Sequence, residues 1–200
     1  MARFVELAEN LLRASAGMSQ AEALLQFIAT GPPEIRARFE ARMDWFKFLL
    51  NNTREDLRET IATIYSLVGA TIPKPDFEKS VRDLSRSMKE KQLEFQHGAI
   101  LALGHSFGRR LLLARLGEAE DKMASADIYV KITKMMVGSL DNSHNMIISA
   151  ACLALAELGR YIITGFVNST DSTCVLAGQG RCPSRLARSR TSLRPTPSWP

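Results

Sequence analysis

A short, small and apolar stretch occurs twice in this chain, and it restricts the possible folds more than any other feature. The first copy is Gly98-Ala99-Ile100-Leu101-Ala102-Leu103-Gly104; the second is Ala150-Ala151-Cys152-Leu153-Ala154-Leu155-Ala156. They align without a gap at an offset of 52 positions, with Leu-Ala-Leu in the same place. Small side chains let two helices approach closely, and a helix that is apolar nearly all round must be covered on several sides. Recurrence of such helices at a period of about 40 to 50 residues marks stacked helical repeats. Both copies are therefore read as the inner helix of a HEAT-type helix pair.

The rest of the chain supplies partners for these helices. Phe4, Leu7, Leu11 and Leu12 predict a helix over 3–15, and Leu24, Leu25, Phe27 and Ile28 a second, capped by Ser19 with Glu22 and stopped at Gly31-Pro32-Pro33. Phe39, Met43, Phe46 and Leu50 step by 4, 3 and 4 along one helical face. Leu57, Ile61, Ile64 and Val68 repeat that stepping after a cap at Thr53 and Asp56, as do Phe77, Val81, Leu84 and Met88. A charged turn at Lys89–Lys91 precedes the helix holding the first key stretch, expected to end near Phe107. Residues 109–122 read as a longer connection, partly helical. Ile128, Ile132, Met135 and Met136 then form one face, Gly138–Asn142 a turn, Ser143 a cap, and Ile147, Ala151, Ala154 and Leu158 the last inner face, ending at Gly159. No alternation of polar and apolar residues suggests a strand in the first 165 residues.

The expected fold is all-α: an α-α superhelix, a HEAT-like solenoid of about four antiparallel helix pairs over residues 1–167. Residues 168–200 are rich in Ser, Arg and Pro and carry too little apolar surface to offset the entropy of ordering, so a disordered tail is expected there. The tail begins abruptly where an array would continue, and no polar capping helix opens the chain. This predicts an internal piece of a longer solenoid, with apolar end faces that favour self-association.

Charge and cysteine usage narrow the function classes. The net charge is +5, but five tail arginines against Asp171 carry +4 of it, and the body is close to neutral. A near-neutral body argues against a phosphate-binding surface, so no specific nucleic-acid partner is expected. No apolar run reaches the roughly 18 residues of a membrane span. The N-terminus lacks the form of a signal peptide, which points to an intracellular, cytoplasmic protein. Cys152 falls in an inner helix expected to be buried, and Cys174 and Cys182 in the tail; without companion ligands at zinc spacing, all three read as free thiols.

Gly104-His105-Ser106-Phe107-Gly108 matches the Gly-x-Ser-x-Gly elbow of serine hydrolases, which would make Ser106 a nucleophile. The elbow requires a strand before the serine, whereas an Ala- and Leu-rich helix precedes it here. A helix end, with Gly104 for close packing and Gly108 as C-cap, is the favoured reading, and no catalytic residue is assigned. His97, His105 and His144 are too scattered to nominate a metal site and read as core or capping residues; no metal or cofactor is expected. Arg109, Arg110 and Arg115 form the densest basic group of the body, a candidate partner contact weighed against a solvated face.

Two longer segments carry a family resemblance. Glu94-Phe95-Gln96-His97-Gly98, continuing through the first key stretch to His105-Ser106-Phe107-Gly108-Arg109, resembles a segment of the large proteasome-associated HEAT-repeat family, the proteasome adaptors and scaffolds. Leu140-Asp141-Asn142-Ser143, with Ala150 through Glu157-Leu158-Gly159-Arg160, resembles that family's next repeat, in the same order. The two anchors span about residues 92–161; residues 1–91 fit the helical pattern without a quotable motif, and the tail does not fit. The resemblance implies a non-enzymatic scaffold that binds the core and regulatory particles of the proteasome and links them to endosomal, endoplasmic-reticulum and motor proteins. It further implies a role in protein quality control and ER-associated degradation, at cytoplasmic, nuclear and peripheral ER or endosomal locations. The alternative from the residues alone is a HEAT-type transport or trafficking adaptor unrelated to the proteasome.

Overall fold

The computed structural model describes residues 17–116 and 126–168, together with positions 3, 6, 7 and 10, which are helical. The expected helix over 3–15 thus lies largely outside the described residues, and the 168–200 tail beyond Asn168 wholly so. Among the described residues there is no strand, and eight α-helices follow one another: α1 (Met18–Thr30), α2 (Pro33–Glu40), α3 (Met43–Leu49), α4 (Glu55–Gly69), α5 (Lys74–Ser87), α6 (Leu93–Arg115), α7 (Ala126–Gly138) and α8 (Asn145–Asn168).

Prolines punctuate the outer helices. Pro32 and Pro33 end α1 and also open α2, because proline fits the first turn, where its missing N–H has no intrahelical partner. The Arg36 guanidinium turns back and donates to the carbonyls of Ile28 and Ala29, each at 3.3 Å, so α2 caps the orphan carbonyls of α1. Pro75 sits in the first turn of α5 in the same way. The single helix expected through Phe39–Leu50 is two, broken at Ala41-Arg42, yet Phe39, Phe46 and Leu50 still share one buried face. Repeats of two and of three helices both belong to the HEAT and armadillo class.

Three expected caps are corrected. α1 starts at Met18 after Gly17, α4 follows Arg54, and α8 starts at Asn145, so Ser19, Thr53 and Ser143 do not occupy the cap positions. Instead Asn52 Oδ1 accepts from the Arg54 N–H and Asn142 Oδ1 from the His144 N–H, both at 2.9 Å, as Asx turns ahead of α4 and α8. Two expected helix ends also move. α6 runs unbroken through Gly108 to Arg115, and α8 through Gly159 to Asn168. The 109–122 connection is therefore helical to Arg115; residues 117–125 lie outside the described set.

The chain builds two layers. α1, α4, α6 and α8 form the inner layer, each packed on the next, while α3, α5 and α7 pack against them from outside. Cross-helix contacts fix the inner direction. Arg58 at the start of α4 meets His97 at the start of α6 and Met146 at the start of α8. Ser66, late in α4, meets Arg109, late in α6. The inner helices therefore run parallel. The aromatic contact of Phe77, early in α5, with Phe107, late in α6 (centroids 5.3 Å apart), makes the α5–α6 pair antiparallel.

Glycine sets the spacing. A Cβ at Gly104 would stand 2.5 Å from both the Cα and the Cβ of Ala154, and a Cβ at Gly98 would stand 2.4 Å from the Leu50 carbonyl oxygen. The first key stretch thus lies directly on the second, and its glycines mark where α6 is crossed. Residues 97–104 of α6 are buried on every side, and α4 is buried from Leu57 to Gly69 except at Glu59 and Thr63.

Candidate interaction surfaces

At the N-terminal end of the inner layer sits a buried charged group that pattern reading did not anticipate. Arg58 lies in α4 beside Leu57 and Ile61, and all three are buried. Its guanidinium donates to the carbonyls of Asn52 (2.7 Å) and Thr53 (3.0 Å), to His97 Nδ1 (3.2 Å) and to Met146 Sδ (3.1 Å). One side chain thereby ties the loop before α4 to α6 and α8. Burial, aided by the adjacent Arg58 charge, pushes the His97 ring down to about 4, so it is neutral at pH 7. With Nδ1 accepting from Arg58, the proton sits on Nε2, which faces Glu55 Oε1 at 3.4 Å.

Glu55, Glu59 and His97 place possible ligand atoms within 4.8 Å of one another, a grouping their spacing in sequence hid. Their chemistry does not suit a cation. Both ring nitrogens of His97 are engaged, and the Arg58 charge stands against the ring.

Arg109 and Arg110 separate sharply. Arg110 is fully buried, its guanidinium carbon 3.9 Å from the centre of the Phe77 ring. It donates to the Gly69 carbonyl at 3.2 Å and to the Ile72 carbonyl, satisfying the C-terminal end of α4. This is neither a solvated face nor a surface open to a partner. Arg109 is partly buried, with Nε 3.4 Å from Ser66 Oγ. Arg115 is the last residue of α6, and its side chain lies outside the described set.

Ser106 is buried in the unbroken middle of α6. No strand leads into it, so the Gly-x-Ser-x-Gly match is not an elbow. Gly108 continues the helix and is not a C-cap. His105 is partly buried, and burial lowers the affinity of its ring for a proton.

Two features of the inner layer are open to partners. One is a groove of about 420 Å³ crossing all four inner helices, bordered by Glu59, Thr63, His105, Leu153, Glu157 and Arg160. The other is the free face of α8. Shifted by 52 positions, His97, Ile100, Leu101 and Gly104 become Ser149, Cys152, Leu153 and Ala156. The first four are buried in α6 and the second four are exposed in α8. Leu101 is 1% exposed and Leu153 is 49%. Cys152 is accordingly a free, exposed thiol, contrary to the burial expected of it. The open face of α8 is the one that, in the preceding repeat, receives the next inner helix. No helix among the described residues is long and apolar enough to cross a membrane.

Residues 1–158 match the family model described as ECM29, ARM-like repeats. The chain is 30% identical over 167 residues to the human proteasome adapter and scaffold protein ECM29, covering 78% of this chain and 9% of that protein. It is 26% identical over 118 residues to the Drosophila melanogaster proteasome-associated protein ECM29 homolog, covering 56% of this chain and 6% of that one. No solved structure matches.

Proposed function

Because this chain belongs to the family of ECM29 ARM-like repeats, we propose that it acts as a helical scaffold segment that binds the proteasome. The observation that carries this reading is the family match over residues 1–158, which takes in every inner helix except the end of α8. The architecture is suited to the role: parallel inner helices present a continuous lateral surface, and solenoids use such surfaces to hold large partners. Ser106, the one sharp enzymatic signal of the sequence, has no access to substrate, and both relatives are named for scaffolding or for association.

The finer part of the proposal is that the segment helps stabilise or tether the proteasome and joins it to endosomal, endoplasmic-reticulum and motor proteins. It would do so in the cytoplasm, with nuclear and peripheral membrane pools, in the service of protein quality control and ER-associated degradation. A tagged 200-residue chain, shown to be helical by circular dichroism, is the reagent for the test. Recovery of core and regulatory particle subunits from cell lysate supports the reading. Recovery of transport cargo or coat subunits in their place transfers the chain to a trafficking adaptor.

A further inference from the structure

The outer layer carries a second surface. Between α5 and α7 runs a groove of about 250 Å³ whose floor is aliphatic: Val81 and Ile132 are buried there, and Ile128 and Met135 half-buried. Its rim is cationic. Arg82, Arg86 and Lys89 come from α5 and the turn after it, and Lys131 from α7, with no acid among the described residues that line it. Lys134 lies one turn further along α7, in an adjoining depression that it shares with Lys131, Met135, Val130 and the acid Asp127. Arg86 makes an exposed ion pair with Asp83 at 3.1 Å, and Arg82, Lys89 and Lys131 also line the groove. The groove runs from Val81 to Lys89, about two helical turns.

The other flank of α5 has the opposite sign. There a groove of about 260 Å³ between α3 and α5 is bordered by Glu40, Asp44, Asp76 and Asp83, with Lys79 as its one cation. α5 thus divides a cationic, apolar-floored groove from an anionic, polar one. Random scatter of surface charge does not require that division, and a partner of one sign would be attracted to one flank and repelled by the other.

We propose that the α5–α7 groove docks an acidic amphipathic helix of a partner protein, independently of any proteasome contact. Its apolar residues would lie over Val81, Ile128, Ile132 and Met135, and its carboxylates would meet Arg82, Lys89, Lys131 and Lys134. This is the helix-in-groove mode, in which i, i+3, i+4 and i+7 side chains anchor the ligand. The floor distinguishes such a helix from a nucleic acid. A phosphate backbone makes no use of an aliphatic floor, and the groove offers no aromatic face on which a base would stack.

The test is fluorescence anisotropy of the full 200-residue chain with a labelled synthetic peptide of about four helical turns, Leu at i, i+3, i+4 and i+7 and Glu elsewhere. Paired charge reversal, Arg82→Glu with Lys131→Glu, is expected to raise Kd by about tenfold or more and to flatten its salt dependence. Lys89→Glu with Lys134→Glu, at exposed positions, is expected to do the same and guards against misfolding of the first pair. Asp76→Asn in the anionic groove is expected to leave Kd within about twofold. Equal binding of a scrambled peptide of the same composition overturns the proposal, since the floor would then play no part. So does an unchanged Kd in both reversals, or an oligonucleotide of equal length that binds more tightly than the peptide.

Discussion

Gly104 and Gly159 stand in inner helices, and their surroundings predict opposite effects of adding a side chain. Gly104 has Ala154 backbone where its Cβ would go, so Gly104→Val is expected to cost about 3 kcal/mol by forcing α6 and α8 apart. Gly159 has nothing within 4 Å of that position, so Gly159→Ala is expected to gain about 0.5–1 kcal/mol of helix propensity. Urea midpoints of the two variants check both signs. His97 supplies a pH dependence. Its ring titrates near 4 when folded, against about 6.5 in the unfolded chain. Between those values the unfolded chain binds the additional proton, so this contribution is complete above pH 6.5 and is lost as pH falls toward 4. His97→Asn keeps an acceptor for Arg58 without titrating. Between pH 7 and pH 4.5 it is expected to lose about 2–3 kcal/mol less than the wild type in urea unfolding. At this scale the sequence was legible for apolar residues and misleading for charged ones. The buried faces of Phe77, Val81 and Leu84 followed from spacing alone. Arg58 and Arg110 did not, because the groups that hold them lie outside their own helices: the Asn52 and Thr53 carbonyls, His97 and Met146 for Arg58, and the Gly69 and Ile72 carbonyls and the Phe77 ring for Arg110. The available signal was a lone arginine within an otherwise apolar helical face, at Arg58 among Leu57 and Ile61.

The 52-residue register gives the elements their own test. Leu101 and Leu153 occupy equivalent places in α6 and α8, one buried and one open. Leu101→Glu places a carboxylate where α4, α6 and α8 pack and is expected to cost more than about 5 kcal/mol, enough to unfold a domain at the low end of ordinary stability. Leu153→Glu is expected to change stability by less than about 0.5 kcal/mol and to reduce self-association through the free α8 face. Circular dichroism and gel filtration of the pair separate these outcomes; equal destabilisation would mean that α8 is covered. The helices themselves were legible from 3.6-residue periodicity, and the turn at Lys89–Lys91 from its charge. Boundaries were less so. Gly108 and Gly159 resembled C-caps because glycine readily adopts the left-handed conformation in which many helices end. Here α6 and α8 continue beyond both. The outer groove was present in sequence as Arg82, Arg86 and Lys89 on one helix and Lys131 and Lys134 on another, but only the stacking of α5 beside α7 brings them together.

At the scale of the whole molecule, a parallel inner layer explains why the same small-apolar stretch recurs. α6 and α8 must both be thin where they cross, as Gly104 on Ala154 shows. That requirement was visible in the sequence as a repeat, as was the resemblance carried by residues 92–161, and the family match extends it back to residue 1. Partner contacts were not visible, since a solenoid recognises its partners with residues scattered over many repeats and leaves no local motif. The proposed function requires that this segment make its own contact with the proteasome. Cosedimentation of the purified 200-residue chain with purified proteasomes in a density gradient tests it directly, with Leu101→Glu as the unfolded control. The wild-type chain migrating with the particles while Leu101→Glu remains at the top is the predicted result. A folded wild-type chain that stays at the top of the gradient at every particle concentration would contradict the claim.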